Sequence, residues 1–240
     1  MENFLYKKGD YIVIPRGTTH RILTNNSFFL IIESYSEVNQ PERHLLGPNA
    51  LYDPSIVETP EPEPIIDNRE WEIKIKRLNE ITSVFYPYNP IDVIGWKGTL
   101  TPWKFNIIDF CPPTCHRAHL PPSVYTTFLA KNFVVCSFVP RPLETEEGAM
   151  KVPFYHSNID FDEVIFYHDG NFFSRDGINS GMITFHPQGI HHGPHPKAIE
   201  ASKNKKDTNE VAVMLDARNP LFFTEIAESI EWKEYYLSWK

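Results

Sequence analysis

Short runs of β-branched and aromatic residues recur along the chain: YIVIP (11–15), FFLIIESY (28–35), IKIKR (73–77), VYTTFLA (124–130), FVVCSFV (133–139), EVIFY (163–167), MITFH (182–186), VAVMLD (211–216) and LFFTEI (221–226). Turn residues separate many of them, the signature of a series of short strands. Helical periodicity is confined to 227–239. The 21 prolines point the same way, because proline interrupts both helix interiors and central strands. Many short strands joined by Pro- and Gly-containing turns predict an all-β sandwich or barrel.

Two segments break the pattern. Residues 52–70, YDPSIVETPEPEPIIDNRE, are acidic and Pro-rich with little periodicity, which predicts an extended connector. Residues 199–209, IEASKNKKDTN, predict a polar loop between strands, with a solvated lysine cluster. An internal repeat also emerges. GDYIVIPRGTTH (9–20) carries Gly9, Pro15, Gly17 and His20, and GMITFHPQGIHH (181–192) carries Gly181, Pro187, Gly189 and His192, each 172 residues further on. Four coincident positions predict two copies of one β-unit.

Composition narrows the class. The 240 residues carry a formal net charge of −8 and are 41% hydrophobic, ordinary for a globular protein and too apolar for a disordered acidic tail. The acidic balance argues against a nucleic-acid partner, which calls for a basic face. No apolar run approaches the ~20 residues of a membrane span, and the first residues lack the uninterrupted apolar stretch of a signal peptide. Three cysteines without a C-x-x-C pair suit a reducing cytoplasm. Eight of the ten histidines lie between His116 and His195, a surplus that points to metal or proton chemistry.

The segment HSNIDFDEVIFYHDG (156–170) places His156, Asn158, Glu163 and Gly170 at spacings that, with the 181–192 pattern, resemble the paired motifs of the cupin superfamily. That resemblance implies a double-stranded β-helix, or jelly-roll, barrel. Asn158 stands where the first motif usually has a second histidine, so His156, Glu163 and His192 remain as ligands. Asp160 and Asp162 are close by, and the spacing to Gly170 favours Glu163. Two imidazoles and one carboxylate form the facial ligand set of non-haem Fe(II) oxygenases, leaving positions open for substrate and dioxygen. A rival metal site, zinc on Cys111, Cys115 and His116, lacks a second paired half. His20 has no upstream His and Glu to complete a site, and the Gly and Pro of its copy read as turn-forming.

GWKGTLTPWKFN (95–106), HLPPSVYTTFLA (119–130), PFYHSN (153–158) and HPQGIHHGP (186–194) together resemble the homogentisate 1,2-dioxygenase family, over nearly the whole chain and most strongly from 95 to 196. The resemblance implies a ring-cleaving dioxygenase that converts homogentisate and O2 to maleylacetoacetate in tyrosine and phenylalanine breakdown. It implies Fe(II) on His156, Glu163 and His192, with His119 as acid/base. His186 falls on a histidine that hydrogen-bonds substrate or oxygen. A tyrosine that contacts substrate in some members falls at Phe172, so a phenol is missing unless Tyr155 or Tyr167 supplies it. Arg117 and Lys104 lie near family motifs, but neither is assigned to the substrate carboxylate. The resemblance further implies a bicupin whose N-terminal barrel is incomplete: 1–51 as its remainder, 52–70 as connector, 71–240 as the catalytic barrel. A trimer or hexamer is the implied assembly. The alternatives are another metal-dependent cupin (an isomerase or a different dioxygenase), a non-catalytic binding or storage module, or an inactive fragment.

Overall fold

The computed structural model describes residues 4–42, 53–61, 65–91, 100–151 and 154–239. The chain forms two compact units, Met1–Phe29 with Asp53–Asn106 and Leu30–Tyr52 with Ile107–Lys240. Regular structure is chiefly β, with a few short helices, consistent with a cupin-like β fold. Among the described residues no helix is long and apolar enough to cross a membrane.

In the first unit, β1 (Asp10–Val13) pairs antiparallel with β4 (Trp103–Asn106), and β2 (Trp71–Arg77) forms a hairpin with β3 (Glu80–Tyr86). Phe105 is fully buried, with Tyr11 and Trp103 against its ring at 5.2 and 6.1 Å between centroids. The Asn106 amide donates to Lys8 O (3.0 Å) and to Asp10 Oδ1 (2.8 Å), fixing the β1–β4 register. Within 52–70, Asp53 caps a single 3-10 turn at Pro54–Ile56, and Glu58 bridges to Lys104. The G-W-x-G part of the 95–106 run lies outside the described residues.

The second unit is built on a five-stranded antiparallel sheet. Its strands are β5 (Thr126–Leu129), β6 (Phe133–Phe138), β8 (Asp162–Asn171), β9 (Ile183–His186) and β11 (Asn209–Ala217), in the order β5-β6-β11-β8-β9. A second sheet pairs β7 (His156–Ser157) with β10 (His191–His192). Successive side chains on a strand alternate between faces. Ile165 and Tyr167 on β8 therefore share a face with Glu163, and they join Cys136, Met214, Ala212, Tyr125 and Phe172 in one buried cluster. Across the sheet the register sets Met214 opposite both Cys136 and Ile165, and Asp216 opposite Glu163. The apolar face that holds the sheet together thus runs into the polar end that carries Glu163. Each large apolar side chain fully buried there contributes about 1.5–3 kcal/mol.

The repeat seen in the sequence is present in the backbone. Gly9 and Gly181 have φ of 87° and 90°, and Gly17 and Gly189 have 82° and 81°. The turns close with the same bonds, Asp10 N to Lys7 O and Met182 N to Asn179 O, then Thr18 N to Pro15 O and Ile190 N to Pro187 O. His20 and His192 each set Nδ1 3.0 Å from the carbonyl two residues upstream. Positive φ is the conformation glycine adopts without strain, so the conserved spacing within the chain is a turn requirement.

Some expectations fail. FFLIIESY (28–35) is not in a strand, and Phe28, Ile31 and Tyr35 are 76, 75 and 79% exposed. β-propensity expresses fit to a half-buried pleated surface, which these side chains do not have. LFFTEI (221–226) is not a strand either. The Leu221 amide donates to Asp162 Oδ2 (2.8 Å), and Thr224 accepts from Ala227 N to cap α2 (Glu225–Ser229). The periodicity of 227–239 yields only the end of that helix and a 3-10 turn at Tyr235–Trp239. The polar loop expected at 199–209 begins later than predicted, because α1 (Pro196–Ser202) covers its start, with Pro196 in the first turn after the His195 cap.

Candidate metal centre

Strand pairing assembles the centre. β7 against β10 sets His156 directly opposite His192, and β8 against β9 sets Glu163 opposite His186. The two hairpin motifs are tied together by Gly189 N donating to Asn158 O (2.8 Å). A side chain at Gly193 would lie 2.8 Å from Phe154 O and Tyr155 Cα, so only glycine lets the chain beyond His192 approach that closely. The result is one grouping among the described residues: His156, Glu163 and His192 offer ligand atoms within 4.8 Å of one another.

The hydrogen bonds around the imidazoles suit a metal. His156 Nδ1 lies 2.8 Å from Phe154 O and His192 Nδ1 3.0 Å from Ile190 O. A carbonyl only accepts, so each ring holds its proton on Nδ1 and turns a bare Nε2 lone pair away from the backbone. This is the arrangement that orients metal-binding histidines. His192 Nε2 is buried without a hydrogen-bond partner and sits 3.6 Å from Glu163 Oε1. A buried, unsatisfied acceptor is costly, and a cation between His192 and Glu163 would remove that cost. The residues therefore fit a divalent metal.

Electrostatics agree. Burial opposes the Glu163 charge, but the hydrogen bond from His186 and the neighbouring His192 imidazole outweigh it and hold the carboxyl well below the ordinary carboxylate range. His186 Nδ1 lies 2.6 Å from Glu163 Oε1, and its ring stacks on His192 at 4.5 Å and 7°. Burial pushes His186 below the ordinary imidazole value despite that carboxylate. For His192 burial acts downward, yet Glu163 prevails and the net direction is up.

The neighbouring acids separate cleanly. Asp162 points to the opposite face of β8, where Oδ1 accepts from Gln188 N (2.9 Å) and Oδ2 from Leu221 N (2.8 Å). Asp160 is exposed. Asn158 Oδ1 accepts from the amides of Asp160 and Phe161, making it a turn-former. His119 packs edge-to-face with Phe154, 5.2 Å between ring centroids, and the Phe154 ring in turn lies 5.8 Å from that of His156. Its Nδ1 is buried without a partner. Burial lowers its pKa, Glu144 acts against this, and Arg141 and His156 add to it, which favours the neutral imidazole. The structure does not bring Cys111, Cys115 and His116 together as a ligand set; His116 faces Glu146 at 3.6 Å. Arg117 also pairs with Glu146 and is exposed, and Lys104 pairs with Glu58 at 2.9 Å. Phe172 is buried against Tyr167 at 4.9 Å, and the Tyr167 hydroxyl is engaged by Thr184 (3.0 Å). Tyr155 is 54% exposed beside Trp239.

Two residues near the centre escape a reading of the sequence. Asp216, cross-strand from Glu163, has Oδ1 buried and unpartnered, and burial followed by the Glu163 charge pushes its carboxyl up to about 7. Arg175, on the turn after β8, donates from Nη1 to Gly193 O (2.5 Å). An acid ending an apolar strand run was the one available signal for Asp216; nothing local marks Arg175.

Comparison with known proteins agrees with this geometry. The family descriptions "Homogentisate 1,2-dioxygenase N-terminal" and "Homogentisate 1,2-dioxygenase C-terminal" match residues 2–107 and 103–240. A candidate dioxygenase of Saccharolobus solfataricus, named without a substrate, is 39% identical over 240 residues, covering 97% of this chain and 62% of that protein. The homogentisate 1,2-dioxygenases of Nitrobacter hamburgensis and Rhizobium etli are 28% and 26% identical, each alignment covering 91% of this chain and 52% of the relative. The chain thus spans a little over half the length of these relatives. With both family descriptions matched, and a histidine-carboxylate cluster formed within the second, the chain belongs to the homogentisate 1,2-dioxygenase family.

Proposed function

We propose that the chain carries the Fe(II) centre of a dioxygenase that opens the ring of homogentisate to give maleylacetoacetate. The observation that carries this reading is the convergence of His156, Glu163 and His192, with the other nitrogen of each imidazole already committed to a carbonyl. Bound Fe(II) would supply the Lewis acidity that favours an ionised substrate hydroxyl and the electron transfer that lets dioxygen react with the ring. His156, Glu163 and His192 would hold it on one side, leaving positions for two guests. His119, whose neutral form burial favours, accepts the proton of the substrate hydroxyl at an imidazole nitrogen. His186, fixed by Glu163 through Nδ1, presents Nε2 as its remaining hydrogen-bonding atom toward substrate or oxygen. The matched turns at 9–20 and 181–192 support a bicupin architecture, and a trimer or hexamer is the assembly expected from the family.

Oxygen consumption by Fe(II)-loaded protein tests the reading. Homogentisate should be consumed one-to-one with O2, with the absorbance of maleylacetoacetate appearing. Stoichiometric iron with no oxygen uptake would sink the assignment of substrate. A second reading keeps the dioxygenase and changes the aromatic acid. It is favoured by Phe172, buried where the family's substrate-contact tyrosine is expected, and by the greater identity to a relative named without a substrate.

A further inference from the structure

We infer that Arg175 and Tyr235 form a carboxylate-binding subsite beside the metal centre, which holds the acid side chain of an aromatic substrate. The inference rests on the proposed dioxygenase reading for the kind of molecule bound, but the subsite itself is argued from atoms left unsatisfied. Arg175 Nε and the Tyr235 hydroxyl are both buried without a hydrogen-bond partner. Buried donors are almost always paired, and leaving one unmet carries its full desolvation cost. The guanidinium only donates and the phenol can donate as well as accept, so an acceptor reaching both would satisfy the two at once. A carboxylate is acceptor-only, offers two oxygens, and matches the fork of a guanidinium.

The position is fixed from two sides. The Arg175 amide donates to Phe172 O (3.1 Å), and the guanidinium donates through Nη1 to Gly193 O, the residue next to His192. One edge of the fork is thereby held while Nε stays uncommitted. Tyr235 opens the 3-10 turn that ends at Trp239. That turn is clamped by His195, whose Nε2 hydrogen-bonds Ser238 O and whose ring packs on Trp239 at 5.7 Å. Trp232, 5.1 Å from Tyr235 between ring centroids, closes against Gly177, where an added Cβ would meet it at 3.0 Å. Arg175 lies within hydrogen-bonding reach of the Tyr167 hydroxyl, and its charge reaches the Tyr235 phenol. One cation thus neighbours the Tyr235 phenol and, through Gly193, the segment that carries His192. Among the described residues no carboxylate lies within ion-pair distance of Arg175; Glu210 and Asp176 are the acids of its surroundings. Tyr235 also answers the question posed by Phe172, since Tyr167 is engaged by Thr184 and Tyr155 is exposed.

Calorimetric binding to the metal-loaded full chain, under anaerobic conditions, decides the matter. The probes are aromatic acids (homogentisate, phenylacetate and benzoate) and the neutral amide of each. In the wild type the acids should bind about 10- to 100-fold tighter than their amides, the share expected of a charged hydrogen bond. Arg175→Met should erase that gap while leaving metal content and amide affinity unchanged, and Arg175→Lys should restore part of it. Tyr235→Phe, which alters no backbone contact, should narrow the gap by a smaller factor. Acids and amides binding alike in the wild type, or a gap that survives in both the Met and Phe variants, would overturn the subsite. If phenylacetate and benzoate show the Arg175-dependent gap while homogentisate is bound but never oxidised, the subsite stands and the substrate reading falls.

Discussion

Adjacent carboxylates on one strand, Asp162 and Glu163, should give opposite phenotypes when each is replaced by its amide. Asp162 is 3% exposed and accepts one backbone amide on each oxygen, from Gln188 and Leu221. Asp162→Asn keeps one acceptor and puts an NH2 group against the other amide. One buried donor is then unpaired, at a cost of about 1–3 kcal/mol. For a chain of this size each kcal/mol lowers Tm by about 2–4 °C, so the expected loss is about 2–12 °C. Metal content should not change, because Asp162 faces away from the imidazoles. Glu163→Gln removes the only carboxylate of the triad. Losing a group that merely orients a ligand costs about 10–100-fold in metal affinity, so loss of the ligand itself should exceed that and abolish turnover with it. Differential scanning calorimetry on metal-free protein and elemental analysis after Fe(II) loading separate the two effects. If the Asn variant failed to hold metal while the Gln variant kept it, the wrong carboxylate would have been assigned.

Three further outcomes follow from the same geometry. His119→Ala should retain iron and slow turnover by about 10²–10⁴-fold, the usual share of a general acid or base; an unchanged oxygen-electrode rate would remove His119 from the chemistry. For Asp216, the folded carboxyl titrates near 7 against about 3.9 when unfolded, so the folded state binds the extra proton between those values. Metal-free stability should therefore fall as pH rises from about 4 to 7, and denaturant titrations of Asp216→Asn should show a flatter slope over that window; an identical slope would contradict the buried placement. Cys136, 2% exposed and with its thiol pushed up to about 12 by burial, should resist alkylation at pH 8 in the native protein while exposed Cys111 reacts. Peptide mapping of the label checks this, and native modification of Cys136 would show that the sheet opens readily.

What could be read from the sequence and what could not divide along a physical line. The grouping of His156, Glu163 and His192 was legible through a spacing that resembles the paired cupin motifs, and the turns that carry it have local requirements: Gly181 and Gly189 take positive φ, and Pro187 shapes the turn. The same turn logic exposed the copy at 9–20, whose bonds and φ values repeat those of 181–192. Propensity misled where burial was the deciding variable, as in FFLIIESY, a run that looks like a strand and leaves Phe28 and Ile31 in solvent. It misled again at 221–226, where the Thr224 cap turned an apolar run into the start of a helix.

The residues around the triad were illegible for a different reason. Asp216 reaches Glu163 through a ladder that joins positions 53 residues apart, and register is set by the pairing of whole strands. Tyr235 lies in the chain's last short turn, held in place by contacts of His195 and Trp239. Side chains that bind a metal must come as a set and leave a pattern. Side chains that satisfy a ligand's periphery need only arrive from some element, so their signature is an unpaired buried atom, which exists only once the chain is folded. Phe172, buried against Tyr167, follows the same rule. A missing phenol at one position is compatible with the same bound acid if another element, such as the turn that carries Tyr235, delivers the hydroxyl.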